Sequence, residues 1–510
     1  MTTSRRQFLH GLGFLAAAAS LPRWVGQANA ATLGGYAGHR SAVCVFLLGG
    51  NDSNNVLVPK AAGPYSQYRA VRPNIGLEQA ELRTINPTGL AAGSYGLHPA
   101  LAKVQALFEQ ERAAFVCNVG PLVVPLRKAD YTAGAASRPD NLFSHSDQQD
   151  AWTSAIANPS TAALPLPLVG KVTGWGGRTA DKLAGLNPGE YPEVTSFGGR
   201  ALFAVGADRQ PMMVSTNGTL SFRETGNAGF NTLLEGSLGE VLGIHNDVTL
   251  EKSYGTVFTM AQTFASARTA ARDAAWAALP QATRDQIDAL FVPPATGAGN
   301  WTLHTQLYQV IRDLVAGALP TTSGGLGLKR QVFSVGFGSF DTHAGQDTGQ
   351  NALLLQLDFA LDAFQRAMDV LQTASIFGGL PPQATLFTMS DFGRTLVENS
   401  DRGTDHGWGS HMLVLGDRVQ GRRLYGTYPS LDLSNGGANN PNTVDTKGRW
   451  IPTLSVEQYA YSIASWLGLS TTAERDYVFP NLAGYLSAAV AGGFPAYAQA
   501  ARIGFMLPDV

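Results

Sequence analysis

The sequence predicts an α/β protein built on an open, mostly parallel sheet. Two observations carry this. Apolar runs of strand length show no polar alternation, as strands covered on both faces require, and amphipathic segments of helical period lie between them. A third points to function: the loops just after those runs are unusually polar.

The first strand is Ala42–Leu48, which runs into Gly49, Gly50, Asn51, Asp52, Ser53, Asn54 and Asn55. A helix follows His98 and Pro99, with Pro99 near its first turn and Leu101, Val104, Leu107 and Phe108 on one face. Ala114–Val119 is the second strand, and a right-handed crossover puts both strands in one sheet. Asp140–Trp152 reads as a loop entering a helix, and Gly170–Leu183 as a short helix. From about 190 to 328 the character changes to strand-like runs (Ala201–Val205, Met212–Ser215) and long helices (Leu250–Leu279, Leu303–Leu319), which predicts an insertion or cap. Alternation resumes with strand Gln331–Phe337, helix Asn351–Leu371, strands Ala384–Met389 and Met412–Leu415, and helix Ser455–Leu467. Leu433–Gly448 is a loose stretch.

The 510 residues are 44% hydrophobic and only 15% charged, with 36 basic against 38 acidic side chains. Such a balance offers no electrostatic footprint for a phosphate backbone and excludes nucleic acid as a partner. Residues 1–30 combine Arg5 and Arg6 ahead of Phe8 and Leu9, an apolar run from Gly11 to Leu21, and Ala28-Asn29-Ala30. That order describes a removable export signal of the twin-arginine type, with the Tat translocase as partner and a periplasmic or secreted destination. Cleavage after Ala30 removes three arginines and takes the net charge from −2 to −5 over residues 31–510. No later stretch holds 18 uninterrupted apolar residues, so no transmembrane segment is expected in the mature chain. Cys44 and Cys117 lie in apolar runs and read as buried thiols, a single bridge being the alternative that export permits.

Ligands of open α/β sheets sit beyond the carboxyl ends of the strands. The segments there hold Asn141 to Asp147 with Ser144, His145 and Ser146; Phe340, Asp341, Thr342 and His343; Ser390, Asp391, Phe392, Gly393 and Arg394; and Thr404, Asp405, His406 and His411. Five of the nine histidines (His98, His145, His343, His406, His411) fall in or near these loops. Imidazoles mixed with carboxylates suit Zn, Mn or Fe rather than the all-oxygen cages of Ca or Mg. Asp341 and His343 are two apart, so on extended backbone both face one side. The adjacent pair Asp405 and His406 can diverge toward two metals, and one or two ions are therefore expected. Turn chemistry alone is the alternative for Gly49 to Asp52, and Asp391 with Arg394 reads alternatively as an internal salt bridge.

Together the twin-arginine leader, Gly49-Gly50-Asn51-Asp52, Ser144-His145 ahead of Trp152, Phe340-Asp341-Thr342-His343, Ser390-Asp391-Phe392-Gly393-Arg394-Thr395 and Gly403-Thr404-Asp405-His406-Gly407 resemble a group of exported bacterial proteins of unknown function. That group is similar to the alkaline phosphatase and sulfatase superfamily. The resemblance implies a doubly wound sheet of that type and a metal held by Asp52 after the first strand, by Asp341 and His343, and by Asp405, His406 and His411. Asp391 is the alternative for the Asp-His element, or a carboxylate that stands behind the ligands or bridges them. The superfamily nucleophile position falls on His145, so either Ser144 or Ser146 attacks or a metal-activated hydroxide does, with His145 as general acid. Arg394 or Arg127 would hold an anionic group. The expected function is thus an exported metal-dependent hydrolase of phosphate or sulfate esters acting on a small anionic substrate, the alternative being a non-catalytic exported binding or assembly protein. Trp175 and Trp408 near the loops suggest carbohydrate contact as an added role.

Overall fold

The computed structural model describes residues 36–508 apart from 135–137, 159–163, 165–167, 170–171, 190, 198, 200, 295–300 and most of 216–248. The expected leader, residues 1–30, therefore lies outside the described residues. Among them, no helix is long and apolar enough to cross a membrane.

The chain forms a nine-stranded, mostly parallel sheet. Its central strand is β1 (Arg40–Leu47), every residue of which is buried. Three short strands, β2 (Leu57–Pro59), β3 (Arg83–Ile85) and β4 (Tyr95–Leu97), make a separate antiparallel sheet in the order β2-β4-β3. The remaining strands are β5 (Ala113–Gly120), β6 (Val194–Ser196), β7 (Met212–Met213), β8 (Arg330–Phe337), β9 (Gln383–Ser390), β10 (Ser410–Leu415), β11 (Leu424–Gly426) and β12 (Leu454–Ser455). In space they run β11-β5-β10-β9-β1-β8-β6-β7, with β12 also on β5. Only β10 is antiparallel to its neighbours in this sheet.

Alternate residues of β1 enter two different cores. Val43, Val45 and Leu47 join one face, covered by α1 (Ala102–Glu109), α2 (Leu303–Ala318) and α3 (Gln346–Gln372). Ala42, Cys44 and Phe46 join the other, covered by α4 (His145–Ser154), α5 (Trp175–Leu183) and α6 (Val456–Leu467). Each fully buried Val, Leu or Phe here contributes about 1.5–3 kcal/mol. The span from 190 to 328 supplies the β6–β7 edge, α2 and two further helices, Thr249–Ala278 and Gln281–Leu290.

Two expectations are corrected. Ala201–Val205 is not a strand: Leu202–Ala204 forms a single 3-10 turn that seats Phe203 4.8 Å from the Trp175 ring. Trp175 and Trp408 are 1% and 0% exposed, so neither offers a stacking face to a sugar. The thiols are free and buried. Cys44 and Cys117 belong to cores on opposite faces, on strands separated by β9 and β10, which puts them beyond disulfide reach.

Glu457, in the first turn of α6, is 1% exposed. Burial lifts its carboxyl from 4.5 to about 7, opposed by its own backbone amide, the Ser455 hydroxyl and the Arg178 charge. An acid whose folded pKa is raised keeps its full contribution below the unfolded value and loses stability as pH rises toward the folded one. That loss is about 3 kcal/mol between about pH 4 and pH 8. Urea unfolding of wild type against Glu457→Gln at both pH values is expected to show this slope in the first protein and its absence in the second.

Candidate metal centre

Strand register delivers the site. Leu47 pairs with Phe337 on one side and with Ser390 on the other, so β1, β8 and β9 end level and their loops leave one edge together. Close approach then demands glycine: a Cβ on Gly49, at φ +111°, would lie 2.4 Å from the Asp341 backbone nitrogen. From the other direction, α4 begins at His145, immediately after a loop in which Phe143 adopts φ +77°.

Within this edge His145, Asp341 and His406 present ligand atoms all within 4.8 Å of one another. His145 Nε2 is 3.4 Å from Asp341 Oδ2, and His406 Nε2 is 3.3 Å from Asp341 Oδ1. His343 completes the group, its Nε2 standing 3.0 Å from Asp341 Oδ1 and 2.9 Å from His406 Nε2. Phe392, fully buried, lies beneath with its ring centroid 4.8 Å from His145 and 4.6 Å from His406.

Hydrogen bonds on the far side of two rings, His145 and His406, decide what those rings turn toward the centre. His145 Nδ1 is 2.7 Å from Asp391 Oδ2, and His406 Nδ1 is 2.7 Å from the Phe143 carbonyl. A carbonyl only accepts, so His406 carries its proton on Nδ1, and the Asp391 carboxylate assigns the same tautomer to His145. Both rings therefore turn an Nε2 lone pair inward. Burial pushes the His406 imidazole down, reinforced by the Arg394 and His145 charges against the Phe143 bond. For Asp341 burial pulls upward, but the Arg394 hydrogen bond and charge, followed by His343 and His145, hold its carboxyl below the usual range. The inward lone pairs of His145 and His406 thus converge with the Asp341 carboxylate, and His343 Nε2 stands beside them, a donor set that a cation among them would satisfy. Tetrahedral ligands at zinc bond lengths of about 2.0–2.1 Å stand about 3.3 Å apart. The 3.3 Å between His406 Nε2 and Asp341 Oδ1 and the 3.4 Å between His145 Nε2 and Asp341 Oδ2 match that spacing.

Asp391 is fully buried and stands behind His145 rather than between metals. Its Oδ2 also accepts from Gln149 Nε2 at 2.9 Å, and its Oδ1 from the Gly49 amide at 3.1 Å. This carboxylate–histidine arrangement fixes ring orientation and ligand basicity. Asp391→Asn is expected to weaken zinc binding about 10–100-fold, read by competition with a chromophoric chelator. Asp405 Oδ1 lies 3.8 Å from His343 Nδ1, on the outer side of that ring.

The other sequence candidates are placed elsewhere or already engaged. Arg394, with no exposed side-chain surface, donates to Asp341 Oδ1 at 2.7 Å, to the Gly49 carbonyl, and to the hydroxyl and carbonyl of Thr404. It pairs with Asp341 instead of Asp391, and its fork is occupied. Arg127 donates to the Gly492 carbonyl and covers the Phe494 ring. Ser144 and Ser146 flank His145 but turn their hydroxyls to Asp147. Asp52 stands outside the group: Arg72 grips both its oxygens at 2.6 and 3.1 Å, and Gln346 donates to Oδ2. His411 also stands apart, 4% exposed, accepting from the Asn118 amide and stacked on Tyr428. Burial pushes it down to about 3. His98 caps the turn before α1, accepting from the Ala100 amide.

Residues 326–445 match the profile of a family described as "Protein of unknown function (DUF1501)". The matched segment holds Asp341, His343 and His406 together with Asp391, Arg394 and Asp405, whereas His145 comes from outside it. No curated protein matches the chain.

Proposed function

We propose that the chain is an exported, metal-dependent hydrolase of phosphate or sulfate esters, on a sheet of the alkaline phosphatase and sulfatase type. The observation that carries this reading is the convergence of His145, His343, His406 and Asp341 at one sheet edge, with the Nε2 lone pairs of His145 and His406 turned inward. Zinc, manganese or iron(II) suits that donor set. A bound divalent ion supplies Lewis acidity toward a phosphoryl or sulfuryl oxygen. The chain's own residues do the rest. Asp391 and the Phe143 carbonyl hold two imidazoles in place, Arg394 keeps Asp341 anionic and aimed, and Phe392 closes the floor against water. The amides opening α4 have no intrahelical acceptor and favour an anion beside His145. His145 serves in this reading as a ligand and not as a general acid.

A second reading, a non-catalytic exported binding protein, is favoured by one observation. The Ser144 and Ser146 hydroxyls bond Asp147, so neither serine is engaged with the centre. Purification without chelator, metal analysis, and a panel of aryl phosphate mono- and diesters and aryl sulfates separate the two. About one equivalent of ion is expected, with turnover of one ester class and loss of both in His406→Ala. Bound ion without turnover on any ester selects the second reading. A chain that neither retains nor rebinds an ion sinks the hydrolase reading.

A further inference from the structure

Leu433–Gly448, a loose stretch by composition, is tied down by Asn and Asp side chains: Asn440 donates to the Ser430 and Asp432 carbonyls, and Asp445 accepts from the Lys447 amide. It ends at Arg449 and Trp450, directly behind the His406 loop, where the Trp450 carbonyl accepts from the Gly409 amide at 2.9 Å. Arg449 reaches two places at once. Its Nε donates to the His406 carbonyl at 2.6 Å, and its guanidinium carbon lies 4.8 Å from the Phe143 ring centroid. Nη1 is paired with Asp445. Phe143 is the residue whose carbonyl accepts from His406 Nδ1, and it stands two residues before His145.

We infer that Arg449 is a positioning residue of the metal centre, clamping the His406 loop to the 143–145 segment and so setting how two imidazole ligands face each other. The inference rests on the metal-centre reading above. The two segments come from chain positions more than 250 residues apart, and each is irregular backbone: Phe143 sits at φ +77°, which costs about 1–3 kcal/mol and must be held by its surroundings. A planar guanidinium can stack on the ring and bond the carbonyl together, which a lysine ammonium can do only in part. The imidazole centroids it governs are 4.4 Å apart at 75°.

The test uses the whole mature chain loaded with Co(II) alone, and zinc affinity by chelator competition. Arg449→Ala is expected to weaken zinc binding about 10–100-fold and to change the intensity of the Co(II) d–d bands, with Arg449→Lys recovering part of both. Asp445→Asn, which removes the ion pair and leaves the clamp, is expected to keep the wild-type spectrum. The spectrum reports ligand geometry, which a purely structural contribution to folding does not move. Should Arg449→Ala fail to fold, Arg449→Lys carries the comparison: a wild-type Co(II) spectrum and zinc affinity there overturn the inference, as they do in Arg449→Ala. A wild-type chain that binds neither ion overturns the metal-centre reading itself and this inference with it.

Discussion

Asp52→Ala is expected to destabilise the fold by about 3–5 kcal/mol and to leave zinc binding within a few-fold of wild type. Asp52 and Arg72 have no exposed side-chain surface, and two hydrogen bonds join them. Removing the carboxylate leaves a guanidinium buried beside the backbone carbonyls of Thr395 and Leu396, with its partner charge gone. Gln346 loses one of its acceptors as well, and Gln346 otherwise joins the Thr342 and Thr404 hydroxyls across two loops. Urea unfolding of the ion-free protein measures the first effect and chelator competition the second. The opposite pattern, full stability with zinc binding lost, would make Asp52 a ligand as the resemblance drawn from the sequence implies.

Asp341→Asn is expected to abolish zinc binding at concentrations where Asp391→Asn still binds, a loss beyond the roughly 10–100-fold of a supporting residue. Asp341 alone faces all three imidazoles, at 3.0, 3.3 and 3.4 Å. The amide keeps the shape and an oxygen for Arg394, so the ion-free unfolding transition should move little while the charge that balances the cation disappears. Retained zinc affinity within a few-fold would show that the carboxylate serves Arg394 and not an ion.

Much of the sheet was readable because β1, β8 and β9 are apolar on both faces, and such strands announce themselves without alternation. Helix α3 shows where that reading falls short. Periodicity starts it at Asn351, yet it begins at Gln346, because Gln346 and Gln350 turn polar side chains into the buried loop network and break no apolar pattern that a window could see. At the site, Asp341, His343 and His406 stood out by residue type and spacing. Asp52 and His411 stood out for the same reason and proved to be buried polar residues satisfied or enclosed elsewhere, since a sequence shows a carboxylate without showing the arginine that claims it. Gln149 was visible in principle, four residues after His145 on one helix face. Phe143 and Arg449 were not, because one acts through its backbone and the other through a contact between distant segments.

The candidate ligands are divided along the chain: three within 341–406 and the fourth at 145. No fragment short of the assembled α/β core can gather all four, so an ion seated there binds the native chain and not the unfolded one. It would act as a cross-link between the amino-terminal and carboxyl-terminal portions, adding RT ln(1 + [ion]/Kd) to the unfolding free energy. The level ends of three strands would then do more than host chemistry, since the chain's resistance to unfolding would follow the free ion concentration around it.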